Sequence, residues 1–266
     1  MCLDCGCGHD HGHSGHDHDH SGHDHGDRAT ISVFEDLLAA NDRTAERVRA
    51  WLDRAGVFAV NLMSSPGSGK TRLLESTFAA LPPGLRVAVI EGDLETENDA
   101  DRIRRHGVTA VQITTGVTCH LDATMTADAI ARLDLDEIDL LFVENVGNLV
   151  CPADFDIGQH RDVVLLSVTE GDDKPDKYPV IFRGADLVLV TKTDLLAHFD
   201  DFDLARAHRS IDRVRGRAPI VDVSAKTGDG LGAWVDWLVG EIGDHRAALD
   251  RRTAAPIPEV SHAGSP

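Results

Sequence analysis

The sequence predicts an α/β domain: a mostly parallel sheet flanked by helices. Three observations carry this expectation. Seven apolar runs recur along the chain, and helical stretches separate most of them. The runs are nearly all apolar instead of alternating, as in strands covered on both faces. The first run also passes through a glycine-rich loop directly into a helical pattern.

At 266 residues and 42% hydrophobic content, the chain can bury one domain of ordinary size with extensions. Its formal charge of −19 argues against a general nucleic-acid or anionic-membrane surface and favours cations. No stretch of eighteen apolar residues predicts a membrane span, and no basic segment followed by an apolar stretch predicts a secretory leader. The expected setting is cytoplasmic, where thiols stay reduced. The five cysteines, an odd number, fit metal binding better than a disulfide framework.

Residues 1–28 are almost wholly Cys, His, Asp, Gly and Ser. Such a segment cannot offset the entropy of ordering, so it is expected to be disordered without metal. The stretch ISVFEDLLAANDRTAERVRAWLDRAG then places Phe34, Leu37, Leu38, Ala45, Val48, Trp51 and Leu52 at helical spacing. It predicts one helix, or two broken near Asn41, ending at Gly56. Strands are expected at 57–63, 86–92, 109–115, 139–145, 163–169, 186–192 and 219–225. The expected organisation is a Cys/His-rich metal-binding segment at 1–28, a single domain at 30–250 and a disordered tail at 251–266.

The loop after the first strand reads SSPGSGKTRLL. Glycines let backbone N–H groups approach a phosphate, and the helix that follows adds positive potential. The candidate phosphate-binding residues are Gly67, Ser68, Gly69, Lys70 and Thr71. Lys70 would reach the β- and γ-phosphates, and the Thr71 hydroxyl would hold Mg²⁺. Ser64 stands where the general P-loop pattern has its first glycine. Two later elements select GTP over ATP. Thr191-Lys192-Thr193-Asp194 resembles the N/T-K-x-D element, in which Asp194 would accept from the guanine N1–H and 2-amino group. Adenine has no such donor pair, so the carboxylate would be left unpaired. Ser224-Ala225-Lys226 resembles the backbone element that meets guanine O6. Asp93 after the second strand, and Glu144 with Gly147 three residues later, are the candidate magnesium and switch positions. Asn148 follows where fast switch GTPases often carry a water-positioning glutamine, which predicts slow intrinsic hydrolysis.

Two sets of metal-ligating residues stand apart from the nucleotide elements. Cys2, Cys5 and Cys7 place three thiolates within about 17 Å of extended chain. Thiolates suit nickel and zinc alike. Removal of Met1 would free the Cys2 amine as a fourth donor. His9, His11, His13, His16, His18, His20, His23 and His25 follow, interleaved with Asp, Gly and Ser unlike a purification tag. Further along, GVTCHLDATM supplies Cys119 and His120, and NLVCPADFD supplies Cys151. Cys119 and His120 could share a metal only from a turn or helix start, because adjacent residues on a helix do not face the same way. Three ligands are an incomplete structural set, which a symmetric dimer could complete. Buried inert cysteines are the competing explanation.

Taken together, NLMSSPGSGKT, EGDLET, GVTCHLDA, FVENVGNLVCPADFDIG, SVTEGDDKPDKYP and TKTD, in order over roughly residues 57–200, resemble the HypB family of GTPases. That family assists nickel insertion into [NiFe]-hydrogenase. The Ser64 and Glu144 departures from generic patterns fit it. Cys2, Cys5 and Cys7 match its high-affinity nickel element, and the His run resembles the nickel-storing stretch of some members. The resemblance implies a P-loop NTPase fold of the signal-recognition-particle and MinD type (SIMIBI class). It implies GTP, Mg²⁺ and Ni²⁺ as ligands, with Zn²⁺ as an alternative metal, and a regulatory metal site at Cys119, His120 and Cys151. It also implies a GTP- or metal-dependent homodimer, a HypA-like nickel chaperone and the hydrogenase large-subunit precursor as partners. In dimeric relatives of this fold class a lysine can approach nucleotide near the interface; Lys174 and Lys177 are the candidates, with solvated surface lysines beside a proline turn the competing explanation. The urease accessory family UreG carries a Cys-Pro-His triplet, whereas Cys-His and Cys-Pro are separate here. A nickel store with a vestigial nucleotide domain is the second functional reading.

Overall fold

The computed structural model describes residues 25–93, 98–116, 118–215 and 219–254. Cys2, Cys5, Cys7 and the histidines from His9 to His23 lie outside the described residues. His25 opens the first helix by its backbone alone. In chain order the main elements are α1 (His25–Ala55), β1 (Phe58–Ser64), α2 (Lys70–Ala80), β2 (Val87–Asp93), α3 (Asn98–Arg104), β3 (Thr109–Thr114), α4 (Ala123–Ile130) and β4 (Leu140–Glu144). There follow β5 (Arg161–Ser167), α5 (Lys174–Lys177), α6 (Pro179–Gly184), β6 (Leu187–Thr191), α7 (Leu204–Arg215), β7 (Ile220–Val223) and α8 (Leu231–Ala254).

The seven strands form one sheet in the order β3-β2-β4-β1-β5-β6-β7, with every neighbouring pair parallel. All seven expected strands are present, and the sheet is parallel throughout. Alternate residues of each strand face opposite helix layers. Phe58, Val60 and Leu62 of β1 pack with Leu73 and Leu74 of α2, Ile103 of α3 and Trp234 and Leu238 of α8. The Trp234 indole donates to the Thr77 hydroxyl at 2.9 Å, so its polar edge is satisfied inside the core. The opposite face is covered by α1 and α4 over β2 and β4, and by α6 and α7 over β5 and β6. Among the described residues, no helix is long and apolar enough to cross a membrane.

The structure settles one open alternative and corrects two boundaries. The first helix is continuous through Asn41. Asn41 breaks nothing because its side chain points into the fold: it donates to the Asp156 carbonyl at 2.8 Å and accepts from the Ala123 N–H at 2.9 Å. That helix begins at His25, inside the segment assigned to metal binding, since extending a formed helix costs far less than starting one. At the other end α8 runs to Ala254 instead of stopping near 250. Its last turns are tied down by Arg252, which donates to Asp53 of α1 at 3.0 Å.

Where α1, α8 and the start of β5 meet, His160 Nδ1 accepts the Ala59 N–H at 2.9 Å, and its Nε2 faces Asp53 at 3.1 Å. Its ring stacks on Phe58, 5.3 Å between centroids, and leans on His245 at 4.2 Å. Burial lowers the His160 pKa to about 4, helped by the neighbouring His245. Protonation would cost the bond from Ala59. The folded pKa is depressed, so this contribution to stability is present above about pH 6.5 and is lost as pH falls through about 4. Asp162 acts with the opposite sign: burial raises its pKa to about 6. The contribution of His160 is therefore read as a difference. Relative to His160→Gln, the wild type should lose about 3 kcal/mol of unfolding free energy between pH 7 and 4, measured by denaturant titration. A pH-independent difference would remove this role.

Candidate functional site

A parallel sheet gathers the carboxyl ends of its strands along one edge, where ligands of open α/β sheets bind. At this edge β1 delivers the loop from Ser64 to Gly69, and β4 delivers Glu144 and Gly147. Two adjoining cavities, of about 360 and 210 Å³, share Gly69 and Arg72 as walls.

The larger is lined by Gly67, Lys70, Thr71, Asp93, Glu144 and Gly147, which unites the phosphate and switch candidates. Gly69 adopts φ 97, a conformation that favours glycine, and turns the chain into α2 at Lys70. Lys70 is buried, and its Nζ donates to the Ser64 hydroxyl at 3.0 Å. Ser68 donates to the same oxygen at 2.5 Å, and Ser64 donates onward to the Ser65 carbonyl at 2.8 Å. The serine in place of the first glycine thus holds the lysine over the loop.

Thr71 donates its hydroxyl proton to Glu144 Oε1 at 2.9 Å. The other oxygen, Oε2, is buried with no hydrogen-bond partner, as is Glu91 Oε1. Glu91 and Glu144 sit side by side on β2 and β4. Burial raises both pKa values; the charge of Glu144 raises Glu91 further, while Lys70 and Thr71 pull Glu144 down. Two adjacent buried carboxyls share a proton or take a cation. This donor set, with Thr71 and the strand-end Asp93, fits Mg²⁺. Glu91 was not anticipated; its signal was a single acid within the apolar strand VAVIEGD. Gly147 lies against the loop: a Cβ there would come within 2.8 Å of Pro66 Cα. Only glycine permits that approach.

The smaller cavity joins Thr191, Lys192, Asp194, Ala225 and Lys226 to Ser68 and Gly69. Ser224 donates to Asp194 Oδ1 at 2.7 Å while accepting the N–H groups of Lys226 and Thr227 at 3.3 and 3.1 Å. It therefore fixes the orientation of the carboxylate. Lys226 Nζ stands 3.8 Å from Asp194. The Ala225 carbonyl accepts from Ser76 of α2 at 2.9 Å. Lys192 takes φ 61, and its Nζ reaches back to the Gly67 carbonyl at 2.6 Å. Thr191 donates to the Ser68 carbonyl at 2.9 Å. The two sequence elements and the loop form one continuous surface. Lys177 is paired with Asp173 at 2.6 Å, and Lys174 sits 5.4 Å over the Tyr178 ring.

Cys119, His120 and Cys151 converge, with one ligand atom from each lying within 4.8 Å of the others. Cys119 and His120 precede α4 in a turn, so adjacent residues can face one point. The two sulfurs are 3.0 Å apart. The His120 ring stacks on Phe155 at 4.0 Å; its Nδ1 is buried without a hydrogen-bond partner, and burial lowers its pKa. A neutral imidazole with an orphaned nitrogen beside two thiols fits a thiophilic metal of the nickel or zinc kind. It supplies three ligands, one short of a closed tetrahedral set.

The family model CobW/HypB/UreG, nucleotide-binding domain, matches residues 58–222. The hydrogenase maturation factor HypB of Azotobacter vinelandii is 51% identical over 221 residues, covering 83% of this chain and 73% of that protein. The protein of the same name from Escherichia coli K12 is 49% identical over 211 residues, covering 79% and 72%. Among solved structures, HypB from Helicobacter pylori in complex with nickel superposes with a TM-score of 0.74 at 39% identity, covering 78% of this chain and 97% of that one. HypB from Archaeoglobus fulgidus gives a TM-score of 0.72 at 41% identity, covering 77% and 99%. Sequence match and fold agree: the chain belongs to the HypB family of hydrogenase maturation factors.

Proposed function

We propose that the protein is a GTP-hydrolysing nickel metallochaperone, acting in the cytoplasm, that supports nickel insertion into [NiFe]-hydrogenase. The observation that carries this reading is the segment 144–151. It begins at the carboxylate that meets Thr71 and ends at the thiol of the Cys119, His120 and Cys151 cluster. Nucleotide and metal thus share one short piece of chain. The intact nucleotide surface argues against a store with a vestigial domain.

The residues divide the work as follows. Gly67, Ser68 and Gly69 offer backbone N–H groups to the phosphates. Lys70 exchanges Ser64 for the β- and γ-phosphates. Asp194, held by Ser224, accepts from the guanine edge, with Lys192 along the base and Ser224, Ala225 and Lys226 at O6. Bound Mg²⁺ would neutralise charge developing on the phosphates. Thr71, Glu144 and Asp93 would hold it, and Glu91 would give up the proton it shares with Glu144. The Asn148 amide donates to the Cys119 carbonyl at 3.3 Å and accepts the Val150 N–H at 2.9 Å, which supports the reading that it does not position water and that intrinsic turnover is slow. Nickel is cargo, carried by Cys2, Cys5 and Cys7 with His9 to His25 as a reservoir. Cys119, His120 and Cys151 form the regulatory site for nickel or zinc. A GTP- or metal-dependent homodimer would complete that site, and a HypA-like chaperone and the hydrogenase large-subunit precursor would receive the cargo.

Titrating the full chain with Ni²⁺, with and without a non-hydrolysable GTP analogue, should give different binding isotherms and a change in dimer fraction by light scattering. Identical isotherms and an unchanged mass would refute controlled delivery. Lys70→Ala should lower turnover by at least about 100-fold while leaving nickel binding by Cys2, Cys5 and Cys7 intact. Loss of both would show that the two parts are not separable. Asp194→Asn should weaken GTP about 10- to 100-fold and improve xanthosine triphosphate, read by competition. Unchanged preference would take Asp194 out of the base site.

A further inference from the structure

The proposed function leaves open how nucleotide and metal could sense each other. Asn145 and Asn148 bracket Gly147 on the segment that leaves β4. Asn145 is 1% exposed, and its Oδ1 accepts both the Val146 N–H at 3.0 Å and the Leu121 N–H at 3.2 Å. Its Nδ2 donates to Asn61 Oδ1 on β1 at 3.2 Å. Leu121 follows His120 directly. Asn148 Nδ2 donates to the carbonyl of Cys119, and its Oδ1 accepts the N–H of Val150, the residue before Cys151. Two amide side chains therefore hold the peptide groups on either side of His120, and the N–H one residue before Cys151. Both sit within four residues of Glu144, which meets Thr71.

We propose that Asn145 and Asn148 are the coupling residues of this protein, transmitting displacement of the 144–148 segment to the Cys119, His120 and Cys151 cluster through backbone hydrogen bonds. The inference rests on the function proposed above. When Glu144 and Gly147 shift to meet a γ-phosphate, Asn145 and Asn148 shift with them. Their partners are the peptide groups that hold the ligands, so the spacing of the two thiols and the imidazole changes. Linkage makes the effect reciprocal: a metal that favours one spacing must change nucleotide affinity by the same factor. Neither asparagine touches phosphate or metal in this scheme. They act by position.

The test uses the full chain and a fluorescent non-hydrolysable GTP analogue, with affinity measured with and without saturating Ni²⁺. The wild type should show a several-fold ratio between the two affinities. Cys119→Ser should bring the ratio to about 1, assigning it to this cluster and not to Cys2, Cys5 and Cys7. Asn148→Ala, at a half-buried position, should also bring the ratio to about 1 with metal-free nucleotide affinity and melting temperature unchanged. Asn145→Ala should abolish the ratio too and lower the melting temperature, because it also breaks the bond to Asn61. A wild-type ratio retained in Asn148→Ala overturns the proposal. A wild type that binds both ligands with a ratio of 1 overturns it as well, leaving nucleotide and metal binding standing. A full chain that binds no guanine nucleotide sinks the proposed function itself.

Discussion

The contact between the Thr71 hydroxyl and the Glu144 carboxylate holds the site together. It spans 2.9 Å in a buried setting and joins the first turn of α2 to the end of β4. The parallel order β2-β4-β1 makes it possible by setting the ends of these strands side by side. Burying an acid there is costly, and Glu91 on the adjacent strand adds to the cost. The arrangement persists because Lys70 lies close and because the pair can hold a proton or a cation. The segment from Asn145 to Cys151 leaves β4 at this joint.

Ser64 and Asn148 are two of the points at which the chain departs from generic GTPase patterns, and the structure gives each a physical purpose. Ser64 accepts from both Lys70 and Ser68, a function no glycine could serve. Asn148 stands one residue after the switch glycine, yet its amide is committed to the Cys119 carbonyl and the Val150 N–H. A side chain that in other proteins could orient water is turned here toward a cluster of thiols.

Much of the fold was legible because apolar runs reveal doubly covered strands without knowledge of their partners. Strand order was not legible, since parallel neighbours such as β1 and β4 are separated by more than seventy residues. The loop from Gly67 to Thr71 could be read because its chemistry is local. Glu91 could not: only the pairing of β2 with β4 brings it to Glu144. Asn41 left one helix or two open because asparagine favours helix ends; tertiary partners at Asp156 and Ala123 hold it within a single helix. Cys119, His120 and Cys151 were recognisable as residue types, but their convergence depended on a turn before α4 and a segment thirty residues away.

The lysine over the loop has a consequence for the energy balance of binding. Lys70 already has an acceptor in Ser64, and Lys192 already has one in the Gly67 carbonyl. On the proposed reading a nucleotide would displace these internal acceptors, at Lys70 by phosphate and at Lys192 by the base, so the loop contains its own competitors. Each one lowers the net gain on binding and stands ready to reclaim its lysine when the anion leaves. A site built this way keeps both lysines partnered whether or not an anion is present.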